Sequence, residues 1–194
     1  MSSTSASLLD RLRDGPQSPA WLRMNDIYQP LIRSWLHRQD VLASDADDLV
    51  QEVLAVVVRR LPDFEHNQRV GAFRTWLKTI TINVVRDHWR SKKNRPAATG
   101  SSQLHDFLHQ LEDQDSGLSR LWDEEHDRHV THRLLEMLKG DFEPKTWQAF
   151  TRMALDGLPA ADVAQELGLT TNAVFIAKSR VLARLRQEAA GMVE

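Results

Sequence analysis

Apolar side chains recur at spacings of three and four residues along most of this 194-residue chain, and segments of alternating apolar and polar residues are missing. Such spacings place the apolar side chains on one face of an α-helix, whereas alternation is typical of a strand. The pattern therefore predicts an all-α protein. Turn residues separate the predicted helices, which cover residues 19–39, 45–61, 72–90, 118–139, 144–156, 159–167 and 171–189.

The middle of the chain has a different composition. Residues 94–102 are rich in Pro, Ala, Thr, Gly and Ser, which bury too little apolar area to order a segment. Residues 105–127 then carry eight acidic residues against the single basic residue Arg120. We therefore expect two small helical domains, at residues 1–95 and 118–194, joined by a flexible acidic linker at 96–117.

Residues 159–185 have the pattern of a helix-turn-helix, with a short helix, a turn at Gly168 and a longer helix that starts after Thr170. Val174, Ala177 and Val181 form the buried stripe of the longer helix. Its opposite face is expected to read DNA in the major groove, and Phe175 and Ile176 on that face would contact thymine methyl groups. The alternative is a helical hairpin with a solvated polar face. The outward residues are Thr171, Asn172, Phe175, Ile176, Ser179, Arg180 and Arg184.

Two helices of the first domain carry polar faces of different character. The helix that begins at Ala72 presents a basic stripe interleaved with Trp89, which suits a surface that follows a nucleic-acid backbone and stacks on unpaired bases; an alternative is a solvated face. The preceding helix instead presents Asp48, Gln51 and Glu52, which would repel DNA and could serve a protein partner. The basic stripe consists of Arg74, Lys78, Asn83, Arg86 and Arg90.

The amino-acid composition limits the kinds of binding and catalytic site that the chain can form. The chain has no cysteine, which excludes disulfides and thiolate metal sites, and its net charge of −2 means that only local basic patches could bind nucleic acid. The spacing of His126, His129 and His132 is a weak metal pattern, since the first and third diverge around a helix. We expect no metal, no cofactor and no enzymatic activity.

The longest apolar run, 53–58, is far short of the about 20 residues that span a bilayer, and no signal peptide is apparent, so we expect a cytoplasmic protein.

The same segments closely resemble extracytoplasmic-function (ECF) RNA polymerase sigma factors. Residues 45–53 (DADDLVQEV) are similar to their region 2.2, and residues 71–77 (GAFRTWL) with 80–83 (ITIN) are similar to regions 2.3 and 2.4. Residues 161–168 (ADVAQELG) and 173–186 (AVFIAKSRVLARLR) resemble region 4.2. The segments occur in the same order as in that family.

The resemblance implies an alternative sigma factor that binds core RNA polymerase, recognises the −35 and −10 promoter elements and supports promoter melting and transcription initiation. Region 2, at 1–95, would dock on the clamp of the largest subunit, and region 4, at 118–194, on the flap of the second. The acidic linker would thread the positively charged channel of the polymerase. Promoter DNA is the other implied partner, and an anti-sigma factor is a further one that the sequence leaves open.

The resemblance also implies three groups of contact residues. Core polymerase would be bound by Asp48, Leu49, Gln51 and Glu52. The melted −10 element would be bound by Phe64, Arg74, Lys78, Asn83, Arg86 and Arg90, with the loop 63–72 forming a pocket for a flipped base. The −35 duplex would be bound by Thr171, Asn172, Phe175, Ile176, Ser179, Arg180 and Arg184.

Two features depart from the family pattern. Phe175 and Ile176 stand where polar or basic residues are common, and residues 142–147 (FEPKTW) replace the usual Leu-Pro-Arg sequence. The promoter sequence therefore cannot be carried over. Two alternatives stay open: a helix-turn-helix transcriptional regulator with a helical sensing or dimerisation domain, and a metal-dependent enzyme that uses the three histidines.

Overall fold

The computed structural model describes residues 7–13, 18–38, 40–65, 71–93 and 101–193. Within these ranges every regular element is helical, which confirms the all-α fold class. Short 3-10 turns at Asp40–Asp45, Leu61–Asp63 and Lys139–Asp141 and a π-helical turn at Thr151–Leu155 join or extend the α-helices. The α-helices are α1 (Leu8–Leu12), α2 (Ala20–His37), α3 (Ala46–Arg60), α4 (Ala72–Lys93), α5 (Ser101–Glu112), α6 (Gly117–Leu138), α7 (Pro144–Phe150), α8 (Ala160–Leu167) and α9 (Thr171–Ala189).

The helices α2, α3 and α4 form the first part of the fold, because each buries one apolar stripe against the other two. Tyr28 from α2 packs its ring against Phe73 of α4, with 5.6 Å between ring centroids. Phe64 and Trp76 extend this aromatic cluster, at 4.7 Å from each other. The apolar residues that are almost fully buried here include Ile27, Ile32, Leu49, Val50, Val53, Val57, Leu77 and Val85.

The segment predicted to be a flexible linker is largely helical, so this prediction is wrong for residues 101–112. Helix α5 buries Leu104, Leu108 and Leu111 in the same core as α2 to α4. Helix α6 also contributes to that core, and its Trp122 lies 4.8 Å from the ring of Trp35 in α2. Six of the eight acidic residues of this segment therefore lie on helices that are packed against the first part of the fold, and Asp113 and Asp115 lie in the turn between them.

The helix-turn-helix prediction agrees with the geometry of α8 and α9. Helix α8 ends at Gly168, whose φ of 62° and ψ of 43° lie in the left-handed region that a residue without a side chain adopts most readily. Helix α9 begins at the N-cap Thr170, whose hydroxyl accepts a hydrogen bond from the backbone N–H of Ala173 at 3.1 Å. Val163 and Val174 are fully buried between the two helices.

The end of α9 packs on the first part of the fold. Ala189 and Met192 belong to the core of α2 to α6, and the buried carboxylate of Glu188 pairs with Arg11 from α1 and with Arg184. The two predicted domains are therefore in direct contact. No helix in the described ranges has both the length and the apolar character needed to cross a membrane.

Candidate nucleic-acid interface

The first half of the basic stripe on α4 is largely buried and paired with acidic residues of α6. Lys78 is almost fully buried, and its Nζ lies 2.6 Å from Ser119 Oγ and 3.1 Å from Asp123 Oδ1. Arg74, one turn earlier, forms ion pairs with Asp123 and Asp127, and its side chain is only 15% exposed. The expectation that Arg74 and Lys78 face outward is wrong for this conformation, because α6 lies over them.

The second half of the stripe is more accessible. Arg86 donates two hydrogen bonds to Glu112 of α5, at 2.9 and 2.6 Å, and these bonds lower the pKa of Glu112 and raise that of Arg86. Asn83 is exposed. Arg90, whose side chain is 77% exposed, pairs with the equally accessible Asp87 on its own helix at 3.4 Å. Cations at this end can reach a ligand without moving a helix.

A cleft of about 570 Å³ separates the end of α4 from α5. It is lined by Arg86, Arg90 and the half-buried Trp89, together with His105 and Asp106 of α5. Sequence reasoning found the three α4 residues but missed the α5 side of the cleft, because residues 96–117 were expected to be linker. Guanidinium groups beside an indole ring are suited to phosphate and base contacts.

Phe64 is a core residue in this structure. The Phe64 ring is buried against Phe73 and Trp76, so it belongs to the core, and the expected contact with −10 DNA is not available to it in this structure. Arg13 donates a hydrogen bond to the Phe64 carbonyl. Residues 66–70 of the expected base pocket lie outside the described residues.

Three of the four residues of α3 that were expected to bind core polymerase are exposed, and Leu49 is the exception. Asp48, Gln51 and Glu52 point to solvent, whereas Leu49 is fully buried in the core and cannot touch a partner. The inclusion of Leu49 among contact residues is therefore wrong, because it lies on the inner stripe of the helix. Gln51 also lines a shallow groove of about 290 Å³ between α2 and α3.

This groove has apolar walls that sequence reasoning did not single out. It is lined by Trp21 and Met24 of α2 and by Leu54 and Val58 of α3. Leu22, on the neighbouring turn of α2, is 72% exposed. Clustered exposed apolar side chains bordered by polar ones are typical of protein-binding surfaces. The sequence signal was available for Trp21, Leu54 and Val58, which fall outside the buried stripes of their helices, whereas Met24 belongs to the buried stripe of α2.

The outward face of α9 is free over its first three turns. Asn172, Ser179 and Arg180 are exposed, and so is Thr171 at the helix start. Phe175 and Ile176 are each 49% exposed, which is unusual for side chains of this size. Arg184 differs from them, because its guanidinium lies 3.5 Å from Asp141 and 2.7 Å from Glu188.

Helix α7 adds residues to the same surface. Ile176 and Arg180 border a groove of about 200 Å³ whose other wall is formed by Lys145 and Thr146, at the start of α7. Lys145 is exposed. Sequence reasoning missed it because the link between α7 and α9 exists only in the folded chain. A lysine beside a recognition helix is well placed for a DNA phosphate.

Two of the three histidines, His126 and His129, make structural contacts with α2. His126 is completely buried. Its Nε2 shares a hydrogen bond with the Tyr28 hydroxyl at 3.2 Å, and its Nδ1 lies 2.9 Å from Asp127 Oδ1. Burial lowers the pKa of His126 and raises that of Tyr28. The ring of His129 lies 2.7 Å from the Ile27 carbonyl oxygen, while His132 is exposed. In the part of the chain that the structure describes, no three metal-ligating side chains converge.

Comparison with known proteins identifies the first domain. Residues 26–95, which include most of α2 and all of α3 and α4, match the family Sigma-70 region 2. The chain is 26% identical to the ECF RNA polymerase sigma factor BldN of Streptomyces coelicolor over 178 residues, which are 92% of this chain and 63% of BldN. It is 28% identical to the ferric citrate uptake sigma factor FecI of Escherichia coli over 151 residues, 76% of this chain and 79% of FecI.

A third relative, the RNA polymerase sigma factor HrpL of Pseudomonas syringae, is 29% identical over 82 residues, 42% of this chain and 43% of HrpL. The chain thus contains a sigma-70 region 2 domain. The resemblance to ECF sigma factors is confirmed by these matches, because BldN and FecI are similar to the chain over most of its length.

Proposed function

We propose that this chain is the promoter-recognition subunit of an RNA polymerase: it binds the core enzyme, recognises the −35 and −10 elements, and supports promoter melting and initiation. The observation that carries the proposal is the match of residues 26–95 to sigma-70 region 2, with the basic helix α4 inside that match. A regulator that merely dimerises has no need of this domain. No enzymatic step is part of the proposal.

Core polymerase is proposed to bind at the joint face of α2 and α3. Asp48, Gln51 and Glu52 supply the polar part of this face, and the groove beside Gln51 supplies the apolar part. An interface that combines buried apolar side chains with a polar rim gives both affinity and orientation. We assign this face to the clamp of the largest subunit, and region 4 to the flap of the second.

The −35 element is proposed to be read as duplex by α9. Arg180 is exposed and can donate two hydrogen bonds to one guanine. Phe175 and Ile176 offer hydrocarbon surface to thymine methyl groups. Lys145 contributes a phosphate contact beside them. Arg184 forms ion pairs with Glu188 and Asp141. Its proposed contribution to DNA binding is therefore indirect, since these ion pairs fix the position of the last turns of α9.

The −10 element is proposed to be held as a single strand along α4. Asn83, Arg86 and Arg90 lie around a cleft that also contains the Trp89 ring, and this combination of cations and an aromatic ring suits unpaired bases. Binding the unpaired strand stabilises the melted state, and this is how the chain would assist melting. Arg74 and Lys78 would add phosphate contacts once the acidic residues that hold them are displaced.

The functional units are proposed to be region 2 at 1–95 and region 4 at 118–194, although α6 packs on both. The protein would work in the cytoplasm, beside the polymerase. An anti-sigma factor remains a proposed partner.

The experiment that tests this function is capture of purified core polymerase by the immobilised chain. We expect saturable binding, and we expect Asp48→Ala combined with Glu52→Ala to weaken it at least about tenfold, as charged contacts at an interface commonly do. The double variant Glu124→Ala with Asp162→Ala changes two exposed acids elsewhere and serves as the control. Equal binding by both double variants, with helical content unchanged, would overturn the assignment of the α3 face.

A further inference from the structure

A groove between α2 and α6 lies outside the surfaces that the proposed function uses. Its volume is about 420 Å³, which is within the range of sites for small molecules. Two arginines, two histidines and a serine line it together with a single carboxylate, so the lining carries net positive charge. The lining residues are Pro30, Leu31, Ser34 and Arg38 of α2 and its C-cap, and Glu125, Arg128, His129 and His132 of α6.

Arg38 is held in place at one wall of this groove. Its guanidinium lies over the Trp35 ring, 4.2 Å from the centroid, and its Nη2 donates to both carboxylate oxygens of Glu125, at 2.7 and 2.6 Å. Among the described residues, nothing accepts a hydrogen bond from its Nε or Nη1. A guanidinium group has five N–H donors, so Arg38 keeps donors for a ligand while Glu125 fixes its position.

His129 joins the opposite wall to the backbone of α2. Its Nε2 lies 2.7 Å from the Ile27 carbonyl oxygen, and because a carbonyl oxygen only accepts, this nitrogen carries a proton. The bond lies beside Pro30, which has no N–H and interrupts the hydrogen-bond ladder inside α2. It therefore holds α6 against the interrupted turn and fixes the part of α6 that carries Arg128 and His132.

Arg128 is the most available cation of the groove. Its side chain is exposed, and it makes no hydrogen bond or ion pair with any residue that the structure describes. Donors face the same space from two walls, since Ser34 and Arg38 line it on the other side. This arrangement suits a tetrahedral phosphate, whose oxygens accept from several directions, better than a planar carboxylate, which one guanidinium can satisfy.

We propose that the groove binds a small phosphate monoester by its phosphate group. Arg38 and Arg128 hold the phosphate oxygens, and Ser34 donates a further hydrogen bond. A phosphate group alone fills only part of the volume, so the rest of the groove receives the organic part of the ligand. The inference goes beyond the proposed function and does not depend on it. Because α2 and α6 build the site together, the ligand binds only while they are packed and raises the stability of the folded chain.

The melting temperature of the full chain measures this binding. The probes are adenosine monophosphate, inorganic phosphate and adenosine, with sodium chloride added to keep the ionic strength equal. We expect a saturable rise with either phosphate probe, by about 3–6 °C at ten times the dissociation constant, and no rise with adenosine. The absence of a saturable rise with both phosphate probes, or an equal rise with adenosine, would overturn the proposal.

Three single variants locate the bound phosphate. Arg128→Gln should weaken binding on the order of tenfold, because a charge-assisted contact is lost, and the exposed side chain is not needed for folding. Arg60→Gln removes an exposed arginine outside the groove and should bind like the parent. Arg90→Gln tests the cleft beside α4. Unchanged binding by Arg128→Gln contradicts the proposal, and a loss confined to Arg90→Gln would place the phosphate in that cleft instead.

Protection of the groove from a chemical reagent gives a second measurement. The chain has no cysteine, so Ser34→Cys places a single thiol in the groove, and Ser179→Cys places one on the outward face of α9. Adenosine monophosphate should slow the alkylation of the first thiol by iodoacetamide and leave that of the second unchanged. If the Ser34→Cys thiol reacts equally fast with and without a concentration that saturates the rise in melting temperature of this variant, the ligand binds elsewhere and the proposal fails.

Discussion

Replacement of the buried lysine on α4 is the sharpest test of the packing described above. Lys78 donates to Ser119 and to Asp123, and its whole side chain is almost completely buried. Lys78→Met keeps a stem of similar length and removes the ammonium group. The variant therefore separates the polar contacts from the packing, which a change to alanine would not do.

The expected loss of stability depends on which polar groups Lys78→Met leaves without a hydrogen-bond partner. Hydrogen bonds to a charged group contribute about 1.5–3 kcal/mol, and breaking a fully buried ion pair costs about 3–5 kcal/mol. Asp123 keeps Arg74 as a partner and is one-third exposed, so the upper range does not apply. The Ser119 hydroxyl, in contrast, is fully buried and loses its donor. We expect the free energy of unfolding to fall by about 1–3 kcal/mol.

Urea unfolding followed by tryptophan fluorescence measures this change, since the chain has six tryptophans and Trp35 and Trp122 lie at the α2–α6 contact. The melting temperature should fall by about 2–4 °C for each kcal/mol. Arg90→Met is the matched control, because that side chain is exposed and such changes are usually within about 0.5 kcal/mol. A loss below about 0.5 kcal/mol for Lys78→Met would refute the conclusion that the contacts of Lys78 with Ser119 and Asp123 stabilise the fold.

Of three further predictions, two concern the outward face of α9 and one concerns the buried histidine. Arg180→Ala should cost about 1–3 kcal/mol of binding and relax preference at one base pair of the −35 element; equal losses on all sequences in gel-shift assays would contradict this. Thymine-to-uracil substitution in that element should weaken binding by the parent and hardly affect a Phe175→Ala, Ile176→Ala double variant, as fluorescence anisotropy can test; unchanged parental binding would mean that the pair packs on protein. Burial lowers the pKa of His126, so the unfolded chain binds more protons than the folded one just below about pH 6.5, and stability should fall as pH drops through that range. His126→Gln should flatten the dependence of unfolding free energy on pH between about 7.5 and 5.5, and an unaltered slope would show that other groups cause it.

Local patterns were sufficient to predict the second half of the fold. The apolar spacing placed a helix at 171–189, and α9 has these bounds. The turn at Gly168 and the cap at Thr170 were also predicted, because both depend on the conformational preferences of single residues. The exposure of Asp48, Gln51, Glu52, Phe175 and Ile176 agrees with the helical periodicity from which it was expected.

The position of α5 and α6 could not be predicted in the same way. Leu104, Leu108 and Leu111 have helical spacing, but the composition of residues 94–102 and the run of acids outweighed it. Four of these acids are paired across the fold: Asp123 and Asp127 with Arg74, Asp123 also with Lys78, Glu112 with Arg86 and Glu125 with Arg38. Such pairing depends on tertiary contact, so periodicity alone could not reveal it.

Leu49 and Phe64 were assigned to binding surfaces and are buried instead. Leu49 stands inside a segment that resembles a sigma-factor motif, and Phe64 was assigned at the start of the loop 63–72 by the same resemblance. Such a resemblance does not distinguish residues that support a surface from residues that form it. Lys145 was missed for the opposite reason, since only the packing of α7 beside α9 brings it to the recognition face.

Run-off transcription with core polymerase and genomic DNA fragments is the measurement that tests the proposed function most directly. We predict that the chain, added to core enzyme, starts transcription from a small set of fragments, and that Arg180→Ala reduces transcription from those fragments. The same fragments should stay silent with core enzyme alone. If the folded chain binds core enzyme and still directs no promoter-specific initiation from any fragment, its role as a promoter-recognition subunit is contradicted.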